Sequence, residues 1–180
     1  MSLTKKAEVY APALTPFNAD LSVNQTAFID FCQWLVAQGA GLAVFGTNSE
    51  ACSLSLREKM GLLDALVEAG IDADKLLPGV GLCALPETIE LSKKAVALGC
   101  AGTLVLPPYY FKPASDDGLF AYYSEIIQAV GSDALRLYLY HIPQFTGVPI
   151  TLSLIERLIK AYPDTVVGIK DSSGDWANTE

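Results

Sequence analysis

Residues 102–140 read GTLVLPPYYFKPASDDGLFAYYSEIIQAVGSDALRLYLY and alternate between two apolar patterns. GTLVL at 102–106 and LRLYLY at 135–140 are short apolar runs of the kind that form buried strands. Between them, DGLFAYYSEIIQAVG at 117–131 has helical spacing and ends at a glycine. A strand, a helix and a second strand in this order predict parallel strands joined by a right-handed crossover.

The same alternation extends in both directions along the chain. Ser55 and Glu58 have capping-box spacing, Pro86 stands in a first helical turn, Thr151 can cap a helix, and Gly99 follows a last turn. We predict strands at 8–14, 41–46, 76–81, 102–106, 135–140 and 165–170, and helices at 24–38, 55–70, 86–99, 117–131 and 151–163, with another helix opening at 174.

Two architectures fit an unbroken β-α alternation, an open doubly wound sheet and a closed (β/α)8 TIM barrel. The doubly wound fold places a glycine-rich phosphate turn after its first strand, but the turn here, TPFNAD at 15–20, contains no glycine. Each unit has about 30 residues, so eight units would need about 240, close to a typical barrel. We therefore predict a single α/β barrel domain over 1–180 that covers about the first six strand-helix units and is incomplete at its C-terminal side.

Composition narrows the class of protein. The 180 residues are 51% hydrophobic and 18% charged, which excludes a mainly disordered chain. The net charge of −8 disfavours binding to nucleic acid or to an anionic membrane surface. No apolar run reaches the roughly 18 residues of a membrane span, and the first residues do not resemble a signal peptide. These features predict a soluble cytoplasmic protein.

A metal centre is not expected. Cys32, Cys52, Cys83 and Cys100 show no C-x-x-C spacing, and His141 is the one histidine of the sequence. We expect reduced, buried or half-buried thiols. His141 follows a strand and is expected to be a hydrogen-bonded structural residue rather than a general base.

The candidates for chemistry follow the carboxyl ends of the strands, where parallel α/β folds place their sites. Lys170 closes the apolar strand TVVGIK, and a low-dielectric barrel mouth would disfavour its ammonium and leave a nucleophilic amine. Taken alone, a strand-end lysine more often reaches solvent or pairs with a neighbour such as Asp171. The turn GTNSE at 46–50 offers backbone N–H groups and hydroxyls to an anion, although ordinary turn chemistry explains it equally well.

Tyrosines follow two further strands. Tyr109 and Tyr110 lie in PPYY after the fourth predicted strand, and Tyr140 ends the fifth. A tyrosine hydroxyl in a dry site can relay a proton, although any one buried tyrosine is more often a packing residue.

Taken together, GTNSE (46–50), PPYY (107–110), YHIPQFTG (140–147) and GIKDSSG (168–174) resemble the motifs of the dihydrodipicolinate synthase and N-acetylneuraminate lyase family. These proteins are Schiff-base aldolases on (β/α)8 barrels. The resemblance starts at APALTPF (11–17) and covers essentially the whole chain. The resemblance favours a catalytic role for Lys170 over the structural role that a strand-end lysine alone would suggest.

The resemblance implies roles for four residues. Lys170 matches the lysine that forms an imine with pyruvate or another 2-oxo acid. Tyr140 matches the tyrosine that moves protons, and Thr47 matches the hydroxyl residue that links it to a third relay member. Tyr110 matches the tyrosine that reaches across a subunit interface, which implies a homodimer or homotetramer.

The resemblance also implies how the substrate is bound. The turn of Gly46, Thr47 and Asn48 would hold the substrate carboxylate through the backbone N–H groups of Thr47 and Asn48. Gly168 stands two residues before Lys170, where its missing side chain would leave room for the substrate. No metal or organic cofactor is implied.

Three positions depart from the family pattern. Asn48 replaces a threonine, as in the hydroxy-oxoglutarate aldolase branch, and Ser49 replaces a glycine, so Ser49 is expected to adopt the dihedral angles of the turn. Phe145 stands where the synthases carry an arginine that binds the carboxylate of aspartate semialdehyde. A phenyl group cannot pair with a carboxylate, which favours a neutral or aromatic aldehyde partner, or no aldehyde partner.

The expected function is that of a class I carbon-carbon lyase or aldolase, which joins a pyruvate-like 2-oxo acid to an aldehyde or separates them. The first alternative is 4-hydroxy-tetrahydrodipicolinate synthase itself. The second is a catalytically inactive barrel homologue or fragment.

Overall fold

The computed structural model describes residues 9–180. Within that range the strands are β1 (Tyr10–Pro12), β2 (Gly41–Ala43), β3 (Thr103–Val105), β4 (Leu137–His141) and β5 (Val166–Asp171). β1 pairs with β2, and β4 pairs with both β3 and β5, in every case in parallel. The parallel arrangement agrees with the prediction, although β1 to β4 are shorter than the apolar runs that predicted them and β5 lies one residue later than its run.

Residues 76–80 connect the two groups of strands. The Leu77 amide donates to the Leu42 carbonyl at 2.8 Å, and the Val80 amide donates to the Leu104 carbonyl at 2.9 Å. The segment therefore continues the wall from β2 to β3, but the strand predicted at 76–81 is not a regular one. Pro78 has no amide to donate, and a Cβ at Gly79 would lie 2.1 Å from the Phe45 carbonyl oxygen.

The helices agree with the local signals in the sequence. Ser55 and Glu58 form the expected capping box, and Thr151 accepts a hydrogen bond from the Leu154 amide. Gly99 caps its helix in the left-handed conformation. The helices are α1 (Gln25–Ala37), α2 (Leu56–Glu68), α3 (Leu85–Leu98), α4 (Asp116–Val130), α5 (Pro143–Thr146), α6 (Leu152–Ala161) and α7 (Trp176–Thr179). The short helix α5 was not predicted.

The hydrophobic core has two parts. The larger part packs helices against the outer face of the strands, whereas the smaller part contains buried strand residues and their continuations alone, namely Leu77, Leu104, Tyr140 and Ile142. The smaller part therefore fills the concave side of the wall, as in a partial (β/α) barrel. Among residues 9–180, no helix has both the length and the apolar character needed to cross a bilayer.

Tyr138 occupies this concave side one layer below Tyr140, because alternate residues of a strand share a face. A Cβ at Gly168 would lie 2.7 Å from the Tyr138 ring, and a Cβ at Gly102 would lie 2.8 Å from it. The two glycines stand on either side of β4, so each makes room for the same aromatic ring.

Candidate active site

A cavity of about 290 Å³ lies at the carboxyl ends of the strands. The site residues predicted from the sequence that line it are Gly46, Thr47 and Tyr140. Its wall also includes Phe45, Glu50, Ala51, Cys52, Ser53, Lys59, Gly79, Gly81, Leu82, Leu104, Leu106, Tyr109, Ile142, Phe145 and Thr146. The cavity is therefore largely apolar with a few hydroxyl, thiol and charged groups, which is typical of a small-molecule site.

Thr47 and Tyr140 meet at this cavity. The Tyr140 hydroxyl lies 3.1 Å from Thr47 Oγ1, and either group can be the donor. Tyr140 is 3% exposed, so its hydroxyl is largely shielded from bulk water. The pair is positioned to pass a proton between two hydroxyl groups.

Lys170 joins this pair from the neighbouring strand. It stands opposite Tyr140 in the β4–β5 register, and its Nζ lies 4.4 Å from the centroid of the Tyr140 ring. An amine at this distance makes a cation–π contact when it is protonated. The structure thus brings Lys170, Tyr140 and Thr47, which are distant in sequence, into one contiguous group.

The turn after β2 is held by buried hydrogen bonds. Ser49 is fully buried, its hydroxyl donates to the Ala13 carbonyl, and its own carbonyl accepts from Thr15 Oγ1 at 2.8 Å. The expectation that Ser49 takes the unusual dihedral angles is wrong, because the left-handed residues are Phe45 and Glu50, with φ of 59° and 54°. Serine is accommodated here through its hydroxyl rather than through backbone freedom.

This arrangement leaves the middle of the turn accessible. Thr47 and Asn48 are exposed. Among residues 9–180, their backbone amides donate to no protein group, so both are free to bind an anion.

Tyr109, rather than Tyr110, lines the cavity within this chain. Tyr110 is 73% exposed and packs edge-on against Phe111, with ring centroids 5.1 Å apart. The relay role that the family resemblance implies for Tyr110 stays a prediction about an assembly of several chains. Sequence reasoning named both tyrosines but could not tell which of the two faces the cavity.

Gly168 has a different neighbour from the expected one. The space beside its Cα is taken by the Tyr138 ring, as described above, and Tyr138 stands opposite it in the register. Gly168 thus has a packing role beside Tyr138, and the expectation that it leaves room for substrate stays a prediction.

His141 is structural, as expected from the sequence. It is buried, and its Nδ1 accepts a hydrogen bond of 3.1 Å from the Ile150 amide. This bond secures the segment that carries Phe145, whose side chain lines the cavity and is 70% exposed.

Asp171 organises the loop that follows Lys170. Its carboxylate accepts hydrogen bonds from the Ser173 amide at 2.8 Å, Asn178 Nδ2 at 2.8 Å and Thr179 Oγ1 at 2.7 Å. These donors, of which Ser173 has the largest effect, hold the pKa of the carboxyl well below its usual range. Asp171 thus ties the end of β5 to α7.

Lys59 is a cavity residue that sequence reasoning missed. It lies on α2, is 1% exposed, and its Nζ has no hydrogen-bond partner among the residues that the structure describes. Burial lowers the pKa of the ammonium, and the negative charges of Cys52, Glu87 and Glu58 partly offset that effect. The sequence did contain a signal for this burial. Lys59 lies three residues after Leu56 and three residues before Leu62, so it shares a helix face with two apolar side chains.

The fold and site define a parallel α/β barrel protein with a lysine, a tyrosine and a threonine grouped at the strand ends. Residues 5–180 match the sequence profile of the dihydrodipicolinate synthetase family. The chain belongs to this family, and the resemblance inferred from its motifs is confirmed.

Curated relatives agree with this assignment. The chain is 36% identical over 174 residues to an uncharacterized DapA-like lyase of Chloroflexus aurantiacus, covering 96% of the chain and 58% of the relative. It is 35% identical over 176 residues to the 4-hydroxy-tetrahydrodipicolinate synthase of Desulforamulus reducens, covering 97% of the chain and 58% of that protein. The chain therefore spans less than two thirds of the length of these relatives.

Solved structures confirm the barrel prediction. Dihydrodipicolinate synthase from Agrobacterium tumefaciens superposes with a TM-score of 0.93 at 35% identity, covering 97% of this chain and 61% of that one. The N-acetylneuraminate lyase of Proteus mirabilis gives 0.84 at 29% identity, with 98% and 59% covered. YagE from E. coli K12, a prophage protein of the same family in complex with pyruvate, gives 0.84 at 28% identity, with 98% and 57% covered. The chain therefore shares the barrel fold of these proteins over about three fifths of their length.

Proposed function

We propose that this chain carries the reacting group of a class I carbon-carbon lyase that acts on pyruvate or another 2-oxo acid. The observation that carries the proposal is the contact of Lys170 Nζ with the Tyr140 ring, together with the 3.1 Å approach of the Tyr140 hydroxyl to Thr47. An amine beside a shielded proton relay is the arrangement that Schiff-base chemistry requires. The complex of YagE with pyruvate supports the choice of substrate.

The reaction starts at Lys170. Its neutral amine adds to the C2 carbonyl of the 2-oxo acid, and the resulting carbinolamine loses water to leave a protonated imine. The imine withdraws electrons from C3. In the cleavage direction, the C3–C4 bond breaks, its electron pair moves into an enamine, and C4 leaves as an aldehyde. In the synthetic direction, C3 loses a proton to give the same enamine, which then attacks an aldehyde.

Tyr140 moves the protons in this scheme. Its hydroxyl donates a proton to the departing oxygen of the carbinolamine and exchanges protons with the aldehyde oxygen. Thr47 is hydrogen-bonded to the Tyr140 hydroxyl and keeps it oriented toward the cavity. A positioned acid–base group of this kind typically contributes about 10²–10⁴ in rate.

The substrate carboxylate binds at the turn after β2. The exposed amides of Thr47 and Asn48 both lack a protein acceptor among residues 9–180, and Gly46 lines the same cavity. Adjacent free amides form a concave anion site without any charged side chain. This placement leaves the ketone carbon free to approach Lys170.

Borohydride trapping tests the proposal. The protein is incubated with pyruvate and sodium borohydride, and intact mass and peptide mapping locate the adduct. We expect one adduct at Lys170, its loss in Lys170→Met, and its retention in Lys93→Met, a matched change of an exposed lysine. An adduct elsewhere contradicts the assigned lysine. No adduct at all leaves the catalytically inactive homologue.

The second candidate function is 4-hydroxy-tetrahydrodipicolinate synthase. Curated relatives of that name share 34–38% identity with the chain, which favours it. We rank it second because Phe145, an apolar side chain on the cavity wall, has no charge to pair with the carboxylate of aspartate semialdehyde. Turnover of pyruvate with this aldehyde, compared with neutral aldehydes, separates the two candidates.

A further inference from the structure

The turn after β2 is strained at both of its ends. Phe45 and Glu50 precede and follow the turn residues 46–49, and both adopt the left-handed conformation, with φ of 59° and 54°. Residues with a side chain rarely take this conformation, and a bulky residue such as phenylalanine is an outlier there. Such a backbone persists only where its surroundings hold it in place. The shape of this turn therefore depends on contacts with other parts of the chain.

Two buried side-chain hydrogen bonds supply such contacts. The Ser49 hydroxyl donates to the Ala13 carbonyl, 36 residues earlier, and the Thr15 hydroxyl donates to the Ser49 carbonyl at 2.8 Å. Ser49 is fully buried and Thr15 is 4% exposed, so bulk water does not compete for either bond. We call these two bonds the clasp. The clasp fixes the turn to the segment that follows β1.

The clasp lies two residues from Thr47, which has two roles in the proposed site. The Thr47 hydroxyl lies 3.1 Å from the Tyr140 hydroxyl. The amides of Thr47 and Asn48 have no protein acceptor in the described part of the chain and are free to bind an anion. A movement of Ser49 would therefore displace the groups that are proposed to bind the substrate carboxylate.

Neither Ser49 nor Thr15 lines the cavity, so both act on a ligand only through the turn. We propose that Ser49 and Thr15 are positioning residues, whose clasp holds the amides of the turn ready for the carboxylate of a 2-oxo acid. This role rests on the proposed function, because it concerns the same carboxylate site.

The clasp is expected to act on affinity rather than on the chemical step. Without it, the turn has to become ordered when the carboxylate binds, and the cost of that ordering lowers the affinity. Once bound, the carboxylate accepts hydrogen bonds from both amides and itself holds the turn in place. Loss of either hydroxyl therefore weakens the binding of pyruvate and leaves the maximal rate of imine formation unchanged.

The first test measures adduct formation at Lys170 against pyruvate concentration, with sodium cyanoborohydride as the trapping reagent and mass spectrometry as the readout. Thr15→Val keeps the shape of the side chain and removes the hydroxyl. We expect about tenfold higher half-saturating pyruvate at an unchanged maximal rate, and the same from Ser49→Ala. Thr15→Ser keeps the hydroxyl and restores the parent value. Thr103→Val, the same change at a buried threonine of β3, is the control.

The second test is hydrogen–deuterium exchange of the peptide that contains residues 46–51, which requires no imine. We expect faster exchange in Thr15→Val than in Thr15→Ser, and slower exchange in the parent when pyruvate is saturating. Protection of this peptide by pyruvate in a parent that forms no adduct contradicts the lyase function and supports the role of the clasp.

Three results overturn the proposal. One is an unchanged half-saturating concentration in Thr15→Val and Ser49→Ala, with circular dichroism confirming that the variants are folded. Where one of these two variants does not fold, the other decides. The second is a failure of Thr15→Ser to restore the parent value, which shows that the hydroxyl is not the group responsible. The third is unchanged exchange of the 46–51 peptide when pyruvate is added to the parent, which shows that the turn does not bind the carboxylate.

Discussion

The hydroxyl of Tyr140 lies 3.1 Å from Thr47 Oγ1, although 93 residues separate them in the sequence. Tyr140 belongs to β4, and Thr47 belongs to the turn after β2, so the barrel wall brings them together. Lys170 contacts the face of the same tyrosine ring. One side chain therefore contacts the proposed nucleophile through its ring and the other member of the proposed proton relay through its hydroxyl.

Replacing Tyr140 by phenylalanine should separate these two contacts. The ring that faces Lys170 is retained and the hydroxyl is lost, so we expect the exchange of pyruvate C3 protons for deuterium to fall by about 10²–10³. Proton NMR of pyruvate in deuterated water measures this rate without an aldehyde. Tyr138→Phe on the same strand is the control. Unchanged exchange in Tyr140→Phe would remove Tyr140 from the mechanism.

Tyr110→Phe tests the role of an exposed side chain. If Tyr110 completes the relay of a neighbouring subunit, its loss should lower turnover about tenfold while imine trapping at Lys170 is unaffected. Sedimentation of the variant shows whether its assembly is unchanged. Full turnover in a variant of unchanged assembly would mean that the relay ends at Thr47.

Phe145→Arg should change the preference for the second substrate. A guanidinium at the cavity wall can bind a carboxylate in a bidentate manner, so we expect kcat/KM for aspartate semialdehyde to rise about tenfold, mainly through KM. Phe145→Leu controls for the loss of the ring. No gain with arginine would show that the aldehyde carboxylate is not placed at this position.

Asp171→Asn should destabilise the protein in a pH-dependent manner. The folded state lowers the pKa of this carboxyl below its model-compound value of 3.8, so its stabilising effect is present above that pH and is lost as the pH falls below it. We expect about 1 kcal/mol less stability in urea at pH 7 and a smaller difference at pH 3. Asp164→Asn, at an exposed position, is the control. A difference that grows on acidification would contradict the assigned hydrogen bonds.

Lys59→Met should stabilise the protein. The folded state lowers the pKa of this ammonium below 10.5, so the charged form costs stability at low and neutral pH, and the cost falls as the pH rises through the folded pKa. The carboxylates of Glu87 and Glu58 raise the pKa of this ammonium and so offset part of that cost. We expect a gain of about 1–3 kcal/mol at pH 7 that shrinks toward pH 10. A variant less stable than the parent at pH 7 would show that the ammonium is satisfied.

Local signals predicted most of the helices because the groups that cap a helix lie within a few residues of its ends. Ser55 with Glu58 and Thr151 with Leu154 are such pairs. The strand predicted at 76–81 was only partly right, because its regularity depends on two neighbouring strands distant in sequence and on the absence of an amide at Pro78.

The candidate site likewise combines features that the sequence predicts with features that only the fold creates. Motifs named Lys170, Tyr140 and Thr47, and the structure groups them. Position-specific packing was not accessible from the sequence. The packing of Gly168 against the Tyr138 ring could not be predicted, and Lys59 was unnoticed because its environment is made by the fold.

The Tyr138 ring links the packing of three neighbouring segments to the residues of the candidate site. It lies between Gly102 and Gly168, in the layer below Tyr140 and Lys170. A methyl group at either glycine would overlap this ring. A substitution at either glycine would therefore displace the ring and act on Tyr140 through β4, although neither glycine lines the cavity.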